Sequence, residues 1–405
     1  MKIFQISSEV NSGSVGRVAE QIGEEVLKEG WDSYIAYARD NQPSKSHTIR
    51  IGNRLDLIQH GVLTRITDRH GFGSKNATKK LIEDIKRINP DIIQLQHLHG
   101  YYINIQLLFD YLSKINIPVV WTFHDCWSFT GHCAHYEYVN CSKWLTQCEK
   151  CPQKHEYPKS SLFDNSFRNY LDKKRLFNSI SKLTIVPVSN WLEREVKKSF
   201  LKEHDCVVIQ NGIDLDRFTI NNRVNNSNVK EKLNAENKFV ILGVANPWNE
   251  KKGLNYFIDL SRKLSLDYKI ILVGLNKNQI EKLPSNILGL EKTESIKELA
   301  ELYSVSDVFL NPTLEDSFPT TNLESLACGT PVITFRSGGS PEAIDNKTGI
   351  IVEKGDINSL ENAIYEIQLK GKEYYQQACR ERAELYFDKK KCFSKYIQLY
   401  KEILK

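Results

Sequence analysis

The stretch from Asp316 to Gly339 restricts the fold more than any other part of this 405-residue chain. An apolar run, Val308–Leu310, precedes it, and a helical pattern over 320–328 is followed by Gly329 and a second apolar run, Pro331–Phe335. This order of strand, loop, helix, turn and strand predicts part of a parallel sheet, with the loop at the carboxyl edge of the strands. A helix that begins there offers unpaired N–H groups and a positive dipole end to an anion.

Two acids belong to this predicted site. Asp316 lies at the mouth of the loop, and Glu324 follows eight residues later inside the helix. Taken alone, such a pair is more often a solvated surface feature than a functional one. Its position at the carboxyl edge of a sheet is what favours a function.

Length and composition limit the possible classes of protein. A chain of 405 residues with 40% hydrophobic and 26% charged residues is typical of two globular domains. Its longest apolar runs are shorter than the roughly 18 residues that span a bilayer, and its start, MKIFQISSEV, predicts a first strand rather than a signal peptide. We therefore expect a cytoplasmic protein. The net charge of +5 permits contact with an anionic membrane face or ligand, whereas no Lys/Arg block with interleaved aromatics suggests nucleic-acid binding.

Strands and helices alternate along the first half of the chain, which predicts a parallel α/β sheet. The predicted strands are Lys2–Ser7, Ser33–Tyr37, Ile92–Leu95, Val119–Phe123, Thr184–Val188 and Cys206–Gln210. Residues 40–74 show no clear period, and we expect a flexible loop there that shapes the acceptor side. The polar stretch 221–238 is the expected exit from this domain, and a second alternation begins at Phe239.

Small and charged residues lie just after several predicted strands. Parallel sheets bind their ligands at this carboxyl end of the strands. Gly13 and Gly16 lie between the first strand and the first helix, and Arg17 comes next. The spacing is not the GxGxxG of dinucleotide-binding sheets, and a tight turn explains such a pair equally well. His124 follows the strand Val119–Phe123, where a histidine is either structural or part of a site.

Two neighbouring lysines, Lys251 and Lys252, precede a predicted helix that begins at Gly253. Their position allows both side chains to reach a phosphate group at the same sheet edge.

Cysteines crowd one segment of the first half. Five of the nine lie close together: Cys126, Cys133, Cys141, Cys148 and Cys151. Four of them, Cys133, Cys141, Cys148 and Cys151, suit a tetrahedral structural zinc, with Cys126, His132 and His135 as spare candidates. Buried thiols without a metal are the alternative, and a redox CxxC lacks a thioredoxin-like context. A zinc ion would hold in place a long loop without regular structure.

Taken together, these motifs resemble those of glycosyltransferase family 4, the retaining enzymes of the GT-B fold, and in particular the bacterial capsule, colanic-acid and exopolysaccharide transferases. The resemblance covers nearly the whole chain and rests on Gly13-x-x-Gly16-Arg17, HDCWSFTGHC…CEKCPQKHEYP, QNGIDLDRF, NEKKGL, DSFPTTNLESLACGTPVI, and GGSPEAI with its later TGIIV.

The resemblance implies a role for each matching residue. Glu324 is expected to bind the ribose of a nucleotide-sugar donor, and Asp316, in place of the usual glutamate, the donor sugar, with Glu315 as the neighbouring alternative. Lys252 corresponds to the family's phosphate-binding lysine, whose usual arginine partner is absent here, so that Lys251 or Arg17 would supply the charge. His124 is expected to line the sugar site. The remaining expected donor-binding residues are Gly16, Ser317, Phe318, Pro319, Thr320 and Thr321.

The resemblance also implies an architecture. It consists of two Rossmann-like, doubly wound α/β domains that face a central cleft. The expected domains are residues 1–212, with a Cys-rich loop at 126–158, and residues 213–385. A final helix, 386–405, is expected to pack back on the first domain.

The activity implied by the resemblance is the transfer of a sugar, with retention, from a nucleotide-sugar donor to a lipid-linked oligosaccharide during surface polysaccharide biosynthesis. No cofactor is expected to be required for catalysis, and peripheral contact with the inner face of the plasma membrane would fit the basic helix at 166–181. A nucleotide-sugar epimerase of GT-B type and a non-catalytic nucleotide-sugar-binding protein are the alternatives.

Overall fold

The computed structural model describes residues 1–220 and 223–405 of the chain. The chain forms two compact units, residues 1–210 with 393–405, and residues 211–392. The polar stretch 221–238 begins with two residues outside the described ranges, and its next ten form a helix, Arg223–Lys232. No helix among the described residues combines the length and the apolar character needed to cross a membrane.

The first unit, every residue of which is described, is built on a parallel sheet. Its strands are β1 (Lys2–Ile6), β2 (Asp32–Tyr37), β3 (His47–Arg50), β4 (Ile92–Leu95), β5 (Val119–Phe123), β6 (Leu183–Pro187) and β7 (Asp205–Cys206). Its helices up to residue 210 are α1 (Gly13–Lys28), α2 (Arg54–Thr67), α3 (Lys75–Ile88), α4 (Ile105–Leu112), α5 (Ser166–Phe177) and α6 (Asn190–Lys198). The strand order is β3-β2-β1-β4-β5-β6-β7. Because the order reverses between β1 and β4, the loops after these two strands flank a crevice of the kind that binds ligands.

The second unit contains a parallel sheet as well. Its helices and strands are α7 (Arg223–Lys232), β8 (Phe239–Val244), α8 (Leu254–Lys263), β9 (Tyr268–Val273), α9 (Lys277–Ile280), β10 (Ile287–Leu290), α10 (Ile296–Val305), β11 (Val308–Asn311), α11 (Thr320–Ala327), β12 (Val332–Phe335), β13 (Gly349–Val352), α12 (Ile357–Lys370) and α13 (Lys372–Tyr386). Among its described residues the strand order is β10-β9-β8-β11-β12-β13. The order reverses between β8 and β11, so the loops after these strands flank the second crevice.

A last helix, α14 (Lys389–Ile403), belongs to the first unit from Phe393 onward and contributes to its core. Phe393, Tyr396 and Tyr400 are buried in one apolar cluster with side chains of α1 and of the sheet. Tyr400 donates a hydrogen bond to Gln94 Oε1 at 3.0 Å, and the hydroxyl groups of Tyr396 and Thr122 are hydrogen bonded at 3.0 Å. Buried hydroxyl groups are therefore paired where the helix covers β4 and β5.

Most predicted strands and helices are confirmed to within one or two residues. The strand predicted over 206–210 is shorter and shifted, since only Asp205 and Cys206 pair with β6. The expectation of a flexible loop over 40–74 was wrong, because this region contains β3 and α2 and the start of α3 lies just beyond it. The helix α2 went unrecognised because its apolar residues do not face the core.

Candidate functional site

The loop between β11 and α11 is held in place by a buried polar network. Asn311, the last residue of β11, donates through Nδ2 to Asn322 Oδ1 at 2.8 Å. Asn322 in turn donates to the carbonyl oxygen of Ser340 at 3.2 Å, and the hydroxyl of Ser340 is hydrogen bonded to Thr334 of β12 at 2.7 Å. These side chains are buried, so their pairing fixes the first turn of α11 against the ends of both strands.

Two lysines meet the two acids of this loop. Lys251 Nζ lies 2.9 Å from Glu315 Oε1, and Lys252 Nζ lies 2.6 Å from Asp316 Oδ2. The side chain of Glu315 is 6% exposed and that of Asp316 is 20% exposed. Of the two acids, Asp316 is thus the one that a ligand approaches more easily.

A close backbone contact brings the lysines to the loop. Gly253 ends the short turn that contains them, with φ of +78°, and a Cβ atom there would lie 2.2 Å from the carbonyl oxygen of Pro312. Asn249 accepts a hydrogen bond from the N–H of Lys252 at 3.0 Å and so begins the turn. A glycine is needed at this contact, because any side chain would push the turn away from the loop.

Glu324 lies on α11 and is almost completely buried. The hydroxyl of Tyr303, itself fully buried, donates to Glu324 Oε2 at 2.9 Å. A tyrosine hydroxyl at this position holds the carboxylate in one orientation.

The start of α11 has the features of an anion site. Its N-cap residue is Pro319, whose side chain has no hydrogen-bonding group to cap the helix. The hydroxyl of Ser317 is buried without a hydrogen-bond partner among the described residues. The first amide groups of α11 and this hydroxyl can therefore donate to an incoming anion. Phe318, Thr320 and Thr321 complete the segment that the sequence predicts as donor-binding.

The predicted residues of the first unit lie at the ends of β1 and β5. Gly16 and Arg17 belong to the first turn of α1, because the helix begins at Gly13 rather than after the glycines, and Arg17 is exposed. His124 follows β5, and its Nε2 is hydrogen bonded to Gln96 Oε1 at 2.9 Å. Burial lowers the pKa of His124 to about 3, so the ring is neutral at pH 7.

A cluster after β4 and β5 was missed in the sequence. Asp125 Oδ2 lies 3.1 Å from His97 Nε2 and 2.6 Å from His99 Nε2. Within the described part of the chain, these three side chains are close enough together to bind one metal ion. Although burial alone raises it, the nearby His99 and His97 hold the pKa of Asp125 well below its usual range. The His-x-His pattern of His97 and His99, which begins two residues after the end of β4, could have indicated this cluster, since β4 ends at the crevice.

The four predicted zinc ligands line one small cavity. Cys133, Cys141, Cys148 and Cys151 surround a space of about 10 Å³, and all four are free thiols. Cys133 and Cys151 are hydrogen bonded to each other, and the N–H of Gly131 donates to Cys148 Sγ at 3.2 Å. The ligand atoms of His97, His99 and Asp125 all lie within 4.8 Å of one another. Among the described residues, no three of the thiol sulfur atoms lie that close together.

Comparison with models of known families assigns the chain to a protein family. Residues 15–217 match the model of Glycosyltransferase Family 4, and residues 237–368 match that of Glycosyl transferases group 1. The chain belongs to glycosyltransferase family 4. It is therefore a glycosyltransferase, and the resemblance inferred from its motifs is confirmed.

Two curated relatives of this glycosyltransferase come from Escherichia coli. One, in strain K12, is named as the colanic acid biosynthesis glycosyl transferase WcaC and is 24% identical over 375 residues, which cover 89% of each chain. The other is named as a UDP-Gal:alpha-D-GlcNAc-diphosphoundecaprenol alpha-1,3-galactosyltransferase and is 26% identical over 186 residues, covering 42% of this chain and 47% of the relative.

Solved structures share the fold of this glycosyltransferase. A sucrose-phosphate synthase from Thermosynechococcus elongatus superposes with a TM-score of 0.72 at 17% identity, covering 99% of this chain and 98% of the other. Anabaena Alr3699/HepE, solved in complex with UDP-glucose, gives a TM-score of 0.67 at 14% identity and covers 99% of this chain and 100% of the other. The predicted GT-B fold, with two parallel-sheet α/β domains, is confirmed.

Proposed function

We propose that this protein is a retaining glycosyltransferase that moves a sugar from a nucleotide-sugar donor to a lipid-linked oligosaccharide acceptor in surface polysaccharide biosynthesis. The observation that carries the proposal is the paired arrangement before α11, where Lys252 contacts Asp316 and Lys251 contacts Glu315. Together with the helix start, it offers two cations and several N–H groups to a diphosphate.

Each residue of the second unit then has a separate task. Glu324, held by Tyr303, accepts hydrogen bonds from the ribose hydroxyls of the donor. Asp316, which is more exposed than Glu315, accepts hydrogen bonds from hydroxyl groups of the donor sugar. Lys252 bridges Asp316 and the diphosphate, and Lys251 adds positive charge from beside Glu315. Of the two acids that the sequence left open, we propose Asp316 for the donor sugar because its side chain is the more exposed.

The chemistry needs charge stabilisation at the leaving group. When the bond between the anomeric carbon and the diphosphate oxygen breaks, positive charge develops on the sugar and negative charge on the diphosphate. Lys252 and the amide groups at the start of α11 stabilise that negative charge. The acceptor oxygen forms the new bond to the anomeric carbon on the same face, and its proton passes to the departing diphosphate oxygen. We propose that no metal or other cofactor is required for this step.

The names of relatives support the classes of donor and acceptor. HepE is solved with UDP and with UDP-glucose, and the galactosyltransferase is named for a UDP-sugar donor and a diphosphoundecaprenol-linked acceptor. WcaC is named for colanic acid biosynthesis. We propose a cytoplasmic enzyme that meets its acceptor at the inner face of the plasma membrane. His124, Gly16 and Arg17 of the first unit are proposed to take part in binding.

A screen of nucleotide sugars tests the proposed donor class. We expect one UDP- or GDP-sugar to raise the unfolding temperature, since a ligand that binds only the folded protein adds about 2.7 kcal/mol at 100 times its Kd. The same titration with Glu324→Gln, which keeps an oxygen for the Tyr303 hydroxyl, should show a weakened response. If no nucleotide sugar shifts the unfolding temperature of the wild-type protein, the proposed donor class is wrong.

A further inference from the structure

The cysteine segment is ordered without regular structure of its own. Between β5 and α5 it contains two short 3-10 turns, Trp127–Phe129 and Lys143–Leu145. Even so, Cys133, Trp144 and Cys148 are buried. A long irregular segment gains little stability from hydrogen-bonded ladders. Packing of buried side chains such as Trp144 contributes to its stability, and a bound metal would add to it.

The cavity between the thiols has the size of an ion. Its volume of about 10 Å³ is close to that of a single water-sized sphere, and Cys133, Cys141, Cys148 and Cys151 are among the residues that line it. The N–H of Gly131 already donates to Cys148 Sγ. Backbone donors of this kind are common around metal-bound thiolates, because they stabilise the charge on sulfur.

An unpartnered histidine nitrogen belongs to the same cavity. His132 lines it, and its Nε2 is buried without a hydrogen-bond partner among the described residues. On the other side of the ring, Nδ1 is hydrogen bonded to the buried Asp68 at 2.5 Å. A carboxylate behind an imidazole fixes the ring orientation, as it does around metal sites.

A buried cation lies nearby. Lys173 is fully buried, donates to the carbonyl oxygens of Trp127 and Thr130 at 2.7 Å and 3.1 Å, and makes no ion pair within the described ranges. Burial lowers the pKa of Lys173 to about 7, and negative charge on the neighbouring Cys148 and Cys133 opposes this shift and favours the ammonium form.

We propose that Cys133, Cys141, Cys148 and Cys151 bind one Zn²⁺ through four thiolates, with His132, which lines the same cavity and is held by Asp68, as a positioning residue. Binding brings the sulfur atoms together around the ion and releases the thiol protons to solvent. A Zn²⁺ ion with four thiolates carries two negative charges, next to which the buried Lys173 lies. Four sulfur ligands and no open position make the site structural rather than catalytic.

Metal analysis and X-ray absorption of the full-length protein test the proposal. We expect about one zinc per chain with four sulfur neighbours. Cys148→Ser/Cys151→Ser should lose the metal and unfold at a lower temperature. The matched control, Cys206→Ser, changes a half-buried thiol of the same unit outside the cavity and should keep its zinc.

Two further measurements keep the proposal testable if the double variant fails to fold. Extracting the metal from wild-type protein with a chelator should lower the unfolding temperature, and added Zn²⁺ should restore it. His132→Gln should keep four sulfur neighbours and release zinc faster. A metal-free protein with unchanged stability would overturn the proposal, and a nitrogen ligand in the absorption spectrum would overturn the four-thiolate assignment.

A second and independent observation concerns the helix α2, whose exposed face is apolar and whose buried face is polar. Five large apolar side chains form one exposed face of the helix: Leu55, Ile58, Val62, Leu63 and Ile66. The buried residues of α2 are polar, His60 and Thr64. His60 Nε2 accepts hydrogen bonds from Gly71 and Gly73, so the inner face is fixed to a loop by polar contacts.

The exposed face continues onto a neighbouring segment. The N–H of Ser161 donates to the carbonyl oxygen of Arg65 at 2.7 Å, and the N–H of Phe163 donates to that of Ile66 at 3.2 Å. Leu162 and Phe163 extend the apolar face beyond the end of α2, and with the five side chains of the helix they are 38% to 67% exposed. We call these seven side chains the apolar face. Monomeric proteins rarely expose a continuous patch of this kind without a partner.

Basic residues outnumber acids around the apolar face. Exposed basic residues of these segments are Arg54, Arg65, Lys159 and Arg168, of which Arg168 lies 3.9 Å from Asp172. Neighbouring acids offset part of this charge: Asp56 accepts from the N–H of Asn53 at 2.8 Å, Asp164 from that of Cys151 at 2.6 Å, and Asp172 also pairs with Arg69 at 2.6 Å. An apolar face with a basic border matches an anionic lipid surface.

The geometry points to a membrane-docking role for the apolar face, with an anionic bilayer as its occupant. Leu55, Ile58, Val62 and Ile66 recur at helical spacing along one stripe, so α2 can lie in the plane of the headgroups. For the lipid-linked acceptor, this proposal rests on the proposed function, because it places the protein at the membrane where that acceptor lies. The membrane contact itself is argued from the exposure of the apolar face and the charge around it.

Vesicle sedimentation tests the docking surface. Wild-type protein should bind vesicles of phosphatidylglycerol and phosphatidylcholine, and bind phosphatidylcholine alone more weakly. Ile58→Glu/Val62→Glu should weaken binding by about ten-fold or more, because two buried apolar contacts are lost. The matched control, Leu369→Glu, changes an 89% exposed leucine of the second unit and should bind like wild type.

Two controls separate this proposal from the others. Donor binding, measured on the same preparations, should be equal in all variants, so failure of docking is distinct from failure of the proposed function. Wild-type protein that ignores anionic vesicles, or a double variant that binds them normally, would overturn the proposal. So would light scattering that shows a dimer dissociated by Ile58→Glu/Val62→Glu, since a second copy would then cover the face.

Discussion

Replacing Lys252 or Glu324 by alanine is expected to reduce sugar transfer by about 100-fold or more, with the fold retained. Lys252 contacts Asp316 at 2.6 Å and supplies charge where the diphosphate leaves. Glu324 lies at the base of the site, and its loss removes the proposed acceptor for the ribose hydroxyls. Steady-state rates with the identified donor measure the effect.

Matched variants distinguish site chemistry from folding. Lys347→Ala removes an exposed lysine of the same unit and should leave transfer unchanged. Glu324→Ala also leaves the Tyr303 hydroxyl buried without its acceptor, which costs about 1–3 kcal/mol of stability, whereas Glu324→Gln keeps an oxygen there. Near-wild-type transfer by Lys252→Ala or Glu324→Gln would contradict the assigned roles.

The second large effect is expected from Gly338→Ala. Gly338 has φ of +52°, and a Cβ atom there would lie 1.8 Å from the carbonyl oxygen of Asp316. The neighbouring N–H of Gly339 donates to the same oxygen at 3.0 Å, so this contact positions Asp316. The added methyl group must displace the backbone of the loop. We therefore expect a lower unfolding temperature and donor affinity reduced by about ten-fold or more.

Gly355→Ala is the matched control for this collision. Gly355 also has positive φ, +89°, but its nearest neighbour is the Tyr256 hydroxyl at 3.5 Å. Alanine there meets backbone strain of about 1–2 kcal/mol without a collision. Thermal unfolding and donor titration of both variants separate the two causes. Equal donor affinity in the two variants would show that the contact between Gly338 and Asp316 does not position the acid.

The sequence predicts the fold well because its apolar residues face the core of both sheets. The strand Phe239–Val244 is a continuous apolar run, and Ile92–Leu95 is interrupted only by the buried Gln94, as expected of parallel strands buried on both faces. The helix α2 is the exception. The helical spacing of its apolar residues was not recognised, because Leu55, Ile58, Val62 and Ile66 face solvent and the buried face of the helix is polar.

The candidate site was predictable in its residues but not in its pairing. The motif around Asp316 and Glu324 and the position of the lysines point to the correct sheet edge. Lys252 and Asp316 are 64 residues apart in the chain, so their contact depends on the crossing of Gly253 over Pro312. The cluster of His97, His99 and Asp125 was missed for a similar reason, since two strand ends must come together to form it.

Analysis of the reaction product tests the central claim most directly. The protein is incubated with the nucleotide sugar that stabilises it and with lipid-linked oligosaccharide acceptors, and the products are examined by NMR and mass spectrometry. We predict a new glycoside whose anomeric configuration matches that of the donor sugar. An epimerised nucleotide sugar without glycoside, or a glycoside of inverted configuration, would contradict the proposed retaining transfer.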